Sequence, residues 1–198
     1  ASRARAFVST ANKTLQTQLW EKDIPTLQKV LPQPFTAALL KGRGNYVCRF
    51  KLREARQQLK LPGLEDDLTN LVTRLDKAST GDVEDLRLAR QLRDAVTVGA
   101  RDCLRNDCPD FVTCFYEQAK LRAEGSDIVI VNHALLLSDV AADNRVLPAY
   151  NYLIVDEAHH LESATTYQLG YSLTRQSAFR LVRQIGRGEG PSGGLVES

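Results

Sequence analysis

Residues 152–162 read YLIVDEAHHLE. Tyr152, Leu153, Ile154 and Val155 run without alternation straight into Asp156 and Glu157, the pattern of a strand buried on both faces of a parallel sheet. Such sheets hold their ligands outside the carboxyl ends of the strands. Two adjacent carboxylates there suit nucleotide hydrolysis, which needs one acid to hold Mg2+ and another to orient and polarise the attacking water. Asp156 fits the first task and Glu157 the second. The bland alternative is an ordinary strand-to-helix junction, with Asp156 capping the next helix and Glu157 complementing its dipole.

Working outward, DIVIV at 127–131 is a second buried-strand candidate, with Asn132 and His133 at its carboxyl end and a helix opening at Ala134. His133 fits capping or packing as well as a contact with DNA or nucleotide. AFVS at 6–9 and the stretch Phe35 to Leu40 supply two more strands, so the fold class expected is α/β with a parallel sheet. After AFVS, Thr10 to Lys13 open a helix with Leu15, Leu19 and Trp20 on one face. Its free backbone N–H groups, with Thr10, Asn12 and Thr14, suit one nucleic-acid phosphate; plain capping by Ser9 or Thr10 is the alternative. Between this helix and the strand at 35–40, Pro25, Pro32 and Pro34 predict a broken surface connection.

The chain has 198 residues, enough for one domain or for a domain carrying an insertion. With 43% hydrophobic and 25% charged residues and no apolar run of membrane-spanning length, the composition is that of a soluble globular protein. It begins at Ala1 without a methionine and reads as part of something longer, so the lack of a signal peptide does not decide its compartment. The net charge of +2 conceals segregation: residues 41–61 carry seven bases and one acid, and residues 62–85 carry seven acids and two bases. Arg49, Lys51 and Arg53 interleave with Tyr46 and Phe50, a composition that suits a sequence-tolerant single-strand channel; a solvated helix face is the alternative.

Cys48 stands alone, whereas Cys103, Cys108 and Cys114 form C-x4-C-x5-C. Two disulfides are formally possible, but a local cluster in a chain of this composition points to metal. Zinc usually takes C-x2-C pairs, and there are none; four more widely spaced thiolates suit an iron-sulfur cluster, so spacing leaves both metals open. Between the first cysteine and the others, the leucines of 64–75 predict one helix, and Val83, Leu86, Ala89, Leu92 and Val96 predict a second starting at Gly81. Phe111, Phe115 and Tyr116 are expected to shield the metal. Beyond the central strand, a helix is expected over Ser172 to Ile185 and a glycine-rich linker over Gly186 to Gly194.

Several of these strings carry a resemblance. VDEAHH resembles the DEAH box of superfamily-two helicases, and STANKTLQTQL resembles their motif Ia, which touches the single-stranded DNA backbone. KGRGNYVC, C-x4-CP-x4-C-F-Y, SDIVIVNHALLL and VDEAHHLE follow one another in the order typical of the XPD/DinG family of iron-sulfur DNA helicases, in particular its bacterial DinG and YoaA branch. The resemblance implies a RecA-like parallel sheet with an all-α insertion in which Cys48, Cys103, Cys108 and Cys114 hold a [4Fe-4S] cluster. It implies ATP as substrate, Mg2+ on Asp156, water activation by Glu157, and His159 linking nucleotide state to the rest of the motor. Thr10, Asn12, Tyr46, Arg49, Lys51 and Arg53 become the DNA-contact candidates, on single-stranded or forked DNA in the bacterial cytoplasm, close to the nucleoid and without a membrane. The divisions expected are 1–45 and 119–170 for two parts of one motor domain, 46–118 for the cluster domain, and 171–198 for an arch domain or linker. No G-x-x-x-x-G-K-[ST] occurs in the chain, so these residues alone are expected not to turn over ATP. The rival readings are a non-catalytic metal-cluster module that binds nucleic acid and a structural zinc domain.

Overall fold

The computed structural model describes residues 4–58, 64–142 and 144–169. In chain order the elements are β1 (Ala6–Thr10), α1 (Lys13–Gln18), α2 (Ile24–Val30), β2 (Ala37–Leu39), α3 (Arg49–Gln58), α4 (Leu64–Leu75), α5 (Arg90–Val96), α6 (Phe115–Glu124), β3 (Ile128–Asn132), α7 (His133–Ala141), β4 (Tyr152–Val155) and α8 (Leu161–Leu169). The four strands form one parallel sheet in the order β2-β3-β1-β4. Its register aligns Thr10 with Asn132 and Ser9 with Val155, so the segments after all of these strands leave from the same edge.

The central strands make the core. Phe7 of β1 and Val129, Ile130 and Val131 of β3 are buried, as their β-branched and aromatic composition favours. Strand β4 departs from its expected burial: Tyr152, Leu153 and Ile154 are 63%, 42% and 55% exposed. An unbroken apolar run matches a doubly covered strand, but among the described residues β4 pairs with β1 alone and lies at the sheet edge. The segment after α1 also differs from expectation. Instead of a broken connection, a π-helical turn at Leu19–Asp23 runs directly into α2. Pro25, which has no N–H to donate to the preceding turn, follows directly on this π-helical turn, whose wider register accommodates it in the helical run.

The sheet is assembled from both ends of the described chain, and α3 to α6 lie between β2 and β3. Leu68, Leu71 and Leu75 bury one stripe of α4 as the leucine spacing predicts. The second helix is shorter than its periodicity suggests, because residues 83–87 form turns and Arg87 has φ 46°, which ends any α-helical run before Ala89. Val83 and Leu86 are buried nonetheless. Gly81 is where this segment crosses Phe115: a Cβ there would lie 2.3 Å from the Phe115 ring, too close for any side chain. Readings for 171–198 lie outside the described residues.

Candidate functional site

At the carboxyl edge of the sheet, Asp156 continues the β1–β4 ladder, its N–H donating to the Ser9 carbonyl at 2.8 Å. The Thr10 hydroxyl donates to Asp156 Oδ2 at 3.3 Å. Glu157 follows with φ 52° and ψ 44°, a left-handed conformation that costs a non-glycine residue about 1–3 kcal/mol. This turn reverses the chain into a 3-10 turn at Ala158–His160, leaving the Glu157 carboxylate exposed and 3.3 Å from His159 Nδ1. The helix-capping alternative therefore fails for Asp156: Glu157 is the N-cap, and it caps through no side-chain hydrogen bond. Beside this edge, Ser9 Oγ and His133 Nδ1 lie 2.8 Å apart in a fully buried pair, and His133 Nε2 has no protein partner. The side chain of Gln16 is likewise buried and unpartnered.

All four cysteines are free thiols, half-buried, and line one pocket with Arg43 and Tyr116 among its walls. They come from separate structural pieces. Cys48 precedes α3 and donates its N–H to the Val96 carbonyl at the end of α5; Cys114 is the N-cap of α6; Cys103 and Cys108 flank a 3-10 turn at Arg105–Asp107. Burial pushes the Cys48 thiol up, an effect opposed by backbone N–H groups of Lys51 and Phe50 that donate to it. The Arg105 N–H donates to Cys103 Sγ at 3.4 Å. Such amide–sulfur bonds favour thiolates and are among the groups that tune iron-sulfur centres. Among the described residues, no three of these sulfurs gather within 4.8 Å of one another. Around one tetrahedral zinc, at about 2.3 Å from each sulfur, they would sit about 3.8 Å apart. These sulfurs are not gathered at that spacing.

A third group joins these two regions. Lys41, 3% exposed at the end of β2, pairs with Asp82 at 2.6 Å and Glu84 at 2.8 Å, and Glu84 also pairs with Lys13 of α1 at 2.9 Å. Burial alone would lower the Lys41 pKa, but its hydrogen bonds to Asp82 and Glu84 raise it above the ordinary lysine value. Glu84 is held below the carboxylate range because its bonds to Lys41 and Lys13 outweigh its own burial.

Residues 26–178 match the model of the family described as DEAD_2. The chain belongs to the DEAD_2 family. It is 35% identical over 195 residues to the protein named 3'-5' exonuclease DinG of Bacillus subtilis (strain 168), which covers 93% of this chain and 20% of that relative. It is 33% identical to the ATP-dependent DNA helicase YoaA of Haemophilus influenzae, over 91% of this chain and 30% of the relative. Identity to the ATP-dependent helicase DinG of Mycobacterium tuberculosis (strain ATCC 25618 / H37Rv) is 35%, over 93% of this chain and 31% of the relative. The chain thus falls in the DinG and YoaA branch of the XPD/DinG family, and it spans between a fifth and a third of the length of these relatives.

For this DEAD_2 chain, the six residues proposed to touch DNA fall into two groups. Thr10 is 0% exposed and bonded to Asp156, and Tyr46 is 5% exposed with its hydroxyl accepting from the Lys41 N–H. Burial pushes the Tyr46 phenol up to about 12. Neither offers a face to a base or a phosphate. Asn12 is exposed, but its side-chain oxygen caps α1 by accepting from the Leu15 N–H at 3.0 Å, so the cap is Asn12 rather than Ser9 or Thr10. The basic run is engaged within the protein: Arg49 donates to the Thr113 carbonyl and lies 4.3 Å from the Phe115 ring, Arg53 pairs with Asp110 at 2.8 Å, and Lys51 pairs with Glu54 at 2.9 Å. Arg49 and Arg53 thereby brace α3 against the cysteine loop. Phe115 and Tyr116 are buried, and Phe111 and Tyr116 stand in the wall of the cysteine pocket. Sequence reasoning missed Lys41, since a lone lysine after an apolar run carries no mark of its distant partners, and Gln16, whose burial no local pattern marks.

Proposed function

We propose that this chain is part of the first motor domain of an ATP-dependent DNA helicase, with residues 46–118 forming an iron-sulfur domain inserted between two halves of a RecA-like sheet, 1–45 and 119–170. The observation that carries the reading is the acid pair Asp156 and Glu157 at the carboxyl edge of a parallel sheet, in a chain of the DEAD_2 family. The names of two relatives, ATP-dependent DNA helicase YoaA and ATP-dependent helicase DinG, support ATP as substrate and DNA as partner. Mg2+, when bound, neutralises charge on the transferring phosphoryl group. Asp156 is suited to hold it, Thr10 to orient Asp156, Glu157 to polarise the attacking water, and His159 to pass the state of Glu157 to neighbouring parts of the motor. Asn12 keeps its amide N–H groups for a phosphate, and Lys51 and Arg53 retain 42% and 46% of their side-chain surface for the same purpose. The work belongs in the bacterial cytoplasm on single-stranded or forked DNA.

Cys48, Cys103, Cys108 and Cys114 would hold a [4Fe-4S] cluster, whose bonds would tie the starts of α3 and α6 to the loop between α5 and α6. Protein prepared without oxygen is expected to be brown, with about four irons per chain. Cys108→Ser should bleach it. Stoichiometric zinc in a colourless protein would instead favour the structural-zinc reading. For the motor itself, the full-length parent should displace a strand from forked DNA only with ATP and Mg2+; binding without displacement or ATP turnover would favour a non-catalytic module.

The Thr10 bond gives a sharper test. Loss of an outer-shell partner typically weakens metal binding about 10–100-fold. Thr10→Val in the parent should therefore raise by about that factor the Mg2+ concentration that half-saturates ATP turnover, while Thr10→Ser keeps it. A variant that instead loses affinity for DNA at unchanged Mg2+ dependence would return Thr10 to a nucleic-acid role.

A further inference from the structure

The geometry points to a transition-metal site at Glu157, His159 and His160, which we propose binds Zn2+ and silences the motor's water-activating carboxylate. One donor atom from each residue lies within 4.8 Å of the other two. His159 Nδ1 and Glu157 Oε2 are 3.3 Å apart. Two donors about 2.0–2.1 Å from a tetrahedral zinc sit about 3.4 Å from each other, so this pair already has the required spacing. The His159 and His160 rings stand 4.1 Å apart, close enough for rotation of one imidazole to bring its nitrogen to the same ion.

The site rests on one short turn. Ala158–His160 is a 3-10 turn, and the left-handed backbone of Glu157 sets it as the N-cap of that turn, so the spacing of the three residues needs no distant element to hold it. All three are exposed, and an incoming ion meets them without opening the core. Two imidazoles and a carboxylate form a ligand set typical of zinc with a fourth position left for water. Mg2+ prefers oxygen ligands in octahedral geometry and suits Asp156 rather than this turn. A zinc ion here would occupy the carboxylate of Glu157. The inhibitory consequence rests on the motor reading above; the binding itself does not.

The chain contains three histidines, which makes the test direct. With 15N-labelled histidine in the 198-residue chain, ZnCl2 is titrated in the presence of excess Mg2+ and the ring nitrogens are followed by NMR. The His159 and His160 signals should move together, while His133, buried against Ser9, stays in place as an internal control. Zinc taken by the cysteines does not enter these signals. Loss of an outer-shell partner already costs about 10–100-fold in metal affinity, so Glu157→Gln, which removes a direct ligand, should raise the half-saturating zinc at least about tenfold. Static His159 and His160 signals after the cysteines are saturated would overturn the site, as would equal shifts in Glu157→Gln. In the parent, zinc inhibition of ATP turnover, taken relative to each protein's own rate, should weaken in His160→Ala. Equal inhibition of both proteins would overturn the regulatory role. A parent without turnover would overturn the motor reading, while the histidine signals still decide the zinc site.

Discussion

Glu157→Gln in the full-length parent is expected to lower ATP turnover by about 10²–10⁴-fold, the usual contribution of a general base, with nucleotide affinity little changed. The amide keeps the size of the side chain and removes its ability to polarise water. Its setting makes Glu157 a strong choice for that role, because the residue is exposed and held in a left-handed conformation that a glutamate does not favour. Glu157→Gly extends the test. Glycine adopts this backbone without the Cβ penalty, so the 198-residue chain should gain about 0.5–1 kcal/mol in stability while the parent loses hydrolysis. A position that gains stability and loses activity on the same change is kept for chemistry. Single-turnover hydrolysis, nucleotide binding and urea unfolding measure the three quantities. Near-normal hydrolysis by Glu157→Gln would reduce the acid pair to a strand end.

Lys41→Met should destabilise the chain by about 3–5 kcal/mol, the usual result of leaving a buried charge without its partner. The charge left behind is Asp82, whose side chain is 7% exposed and whose Oδ1 accepts from the Glu84 N–H. Adding Asp82→Asn to Lys41→Met should restore much of the loss, because the amide can still accept from Glu84 and no buried charge remains. Failure to recover would mean that the ammonium is needed for more than charge balance. The same network sets a pH dependence. Lys41 has a folded pKa above its unfolded value of about 10.4, so its contribution is complete below that pH and is lost as pH rises through the raised value. Glu84 has a folded pKa below its unfolded value of about 4.3, so its contribution is complete above that pH and is lost as pH falls through the lowered value. Urea midpoints should therefore show this contribution level from about pH 5 to about pH 10 and declining on both sides, with the alkaline decline reduced in Lys41→Met.

Residues close in sequence determined much of the architecture by themselves. The runs at Ala6–Thr10 and Ile128–Asn132 are apolar enough to form only covered strands, the leucine spacing of Leu64–Leu75 allows only one buried helical stripe, and DEAH follows its strand directly. The positions of the four cysteines and the acid pair were also legible, although spacing alone left zinc and an iron-sulfur cluster both open for the cysteines. What depended on packing was not. The apolar run of β4 does not reveal that it lies at an edge, since strand order arises from pairings between residues more than 100 positions apart. Thr10 reads locally as a helix-opening residue with a phosphate to hold, and its actual partner, Asp156, is 146 residues away. Tyr46 and Lys41 look like surface residues in a basic stretch until the turn at Gly81 brings Asp82 and Glu84 over them. Local pattern records which face of an element is apolar, whereas a buried polar side chain is decided by whichever distant group satisfies it. Only the tertiary structure brings those groups together.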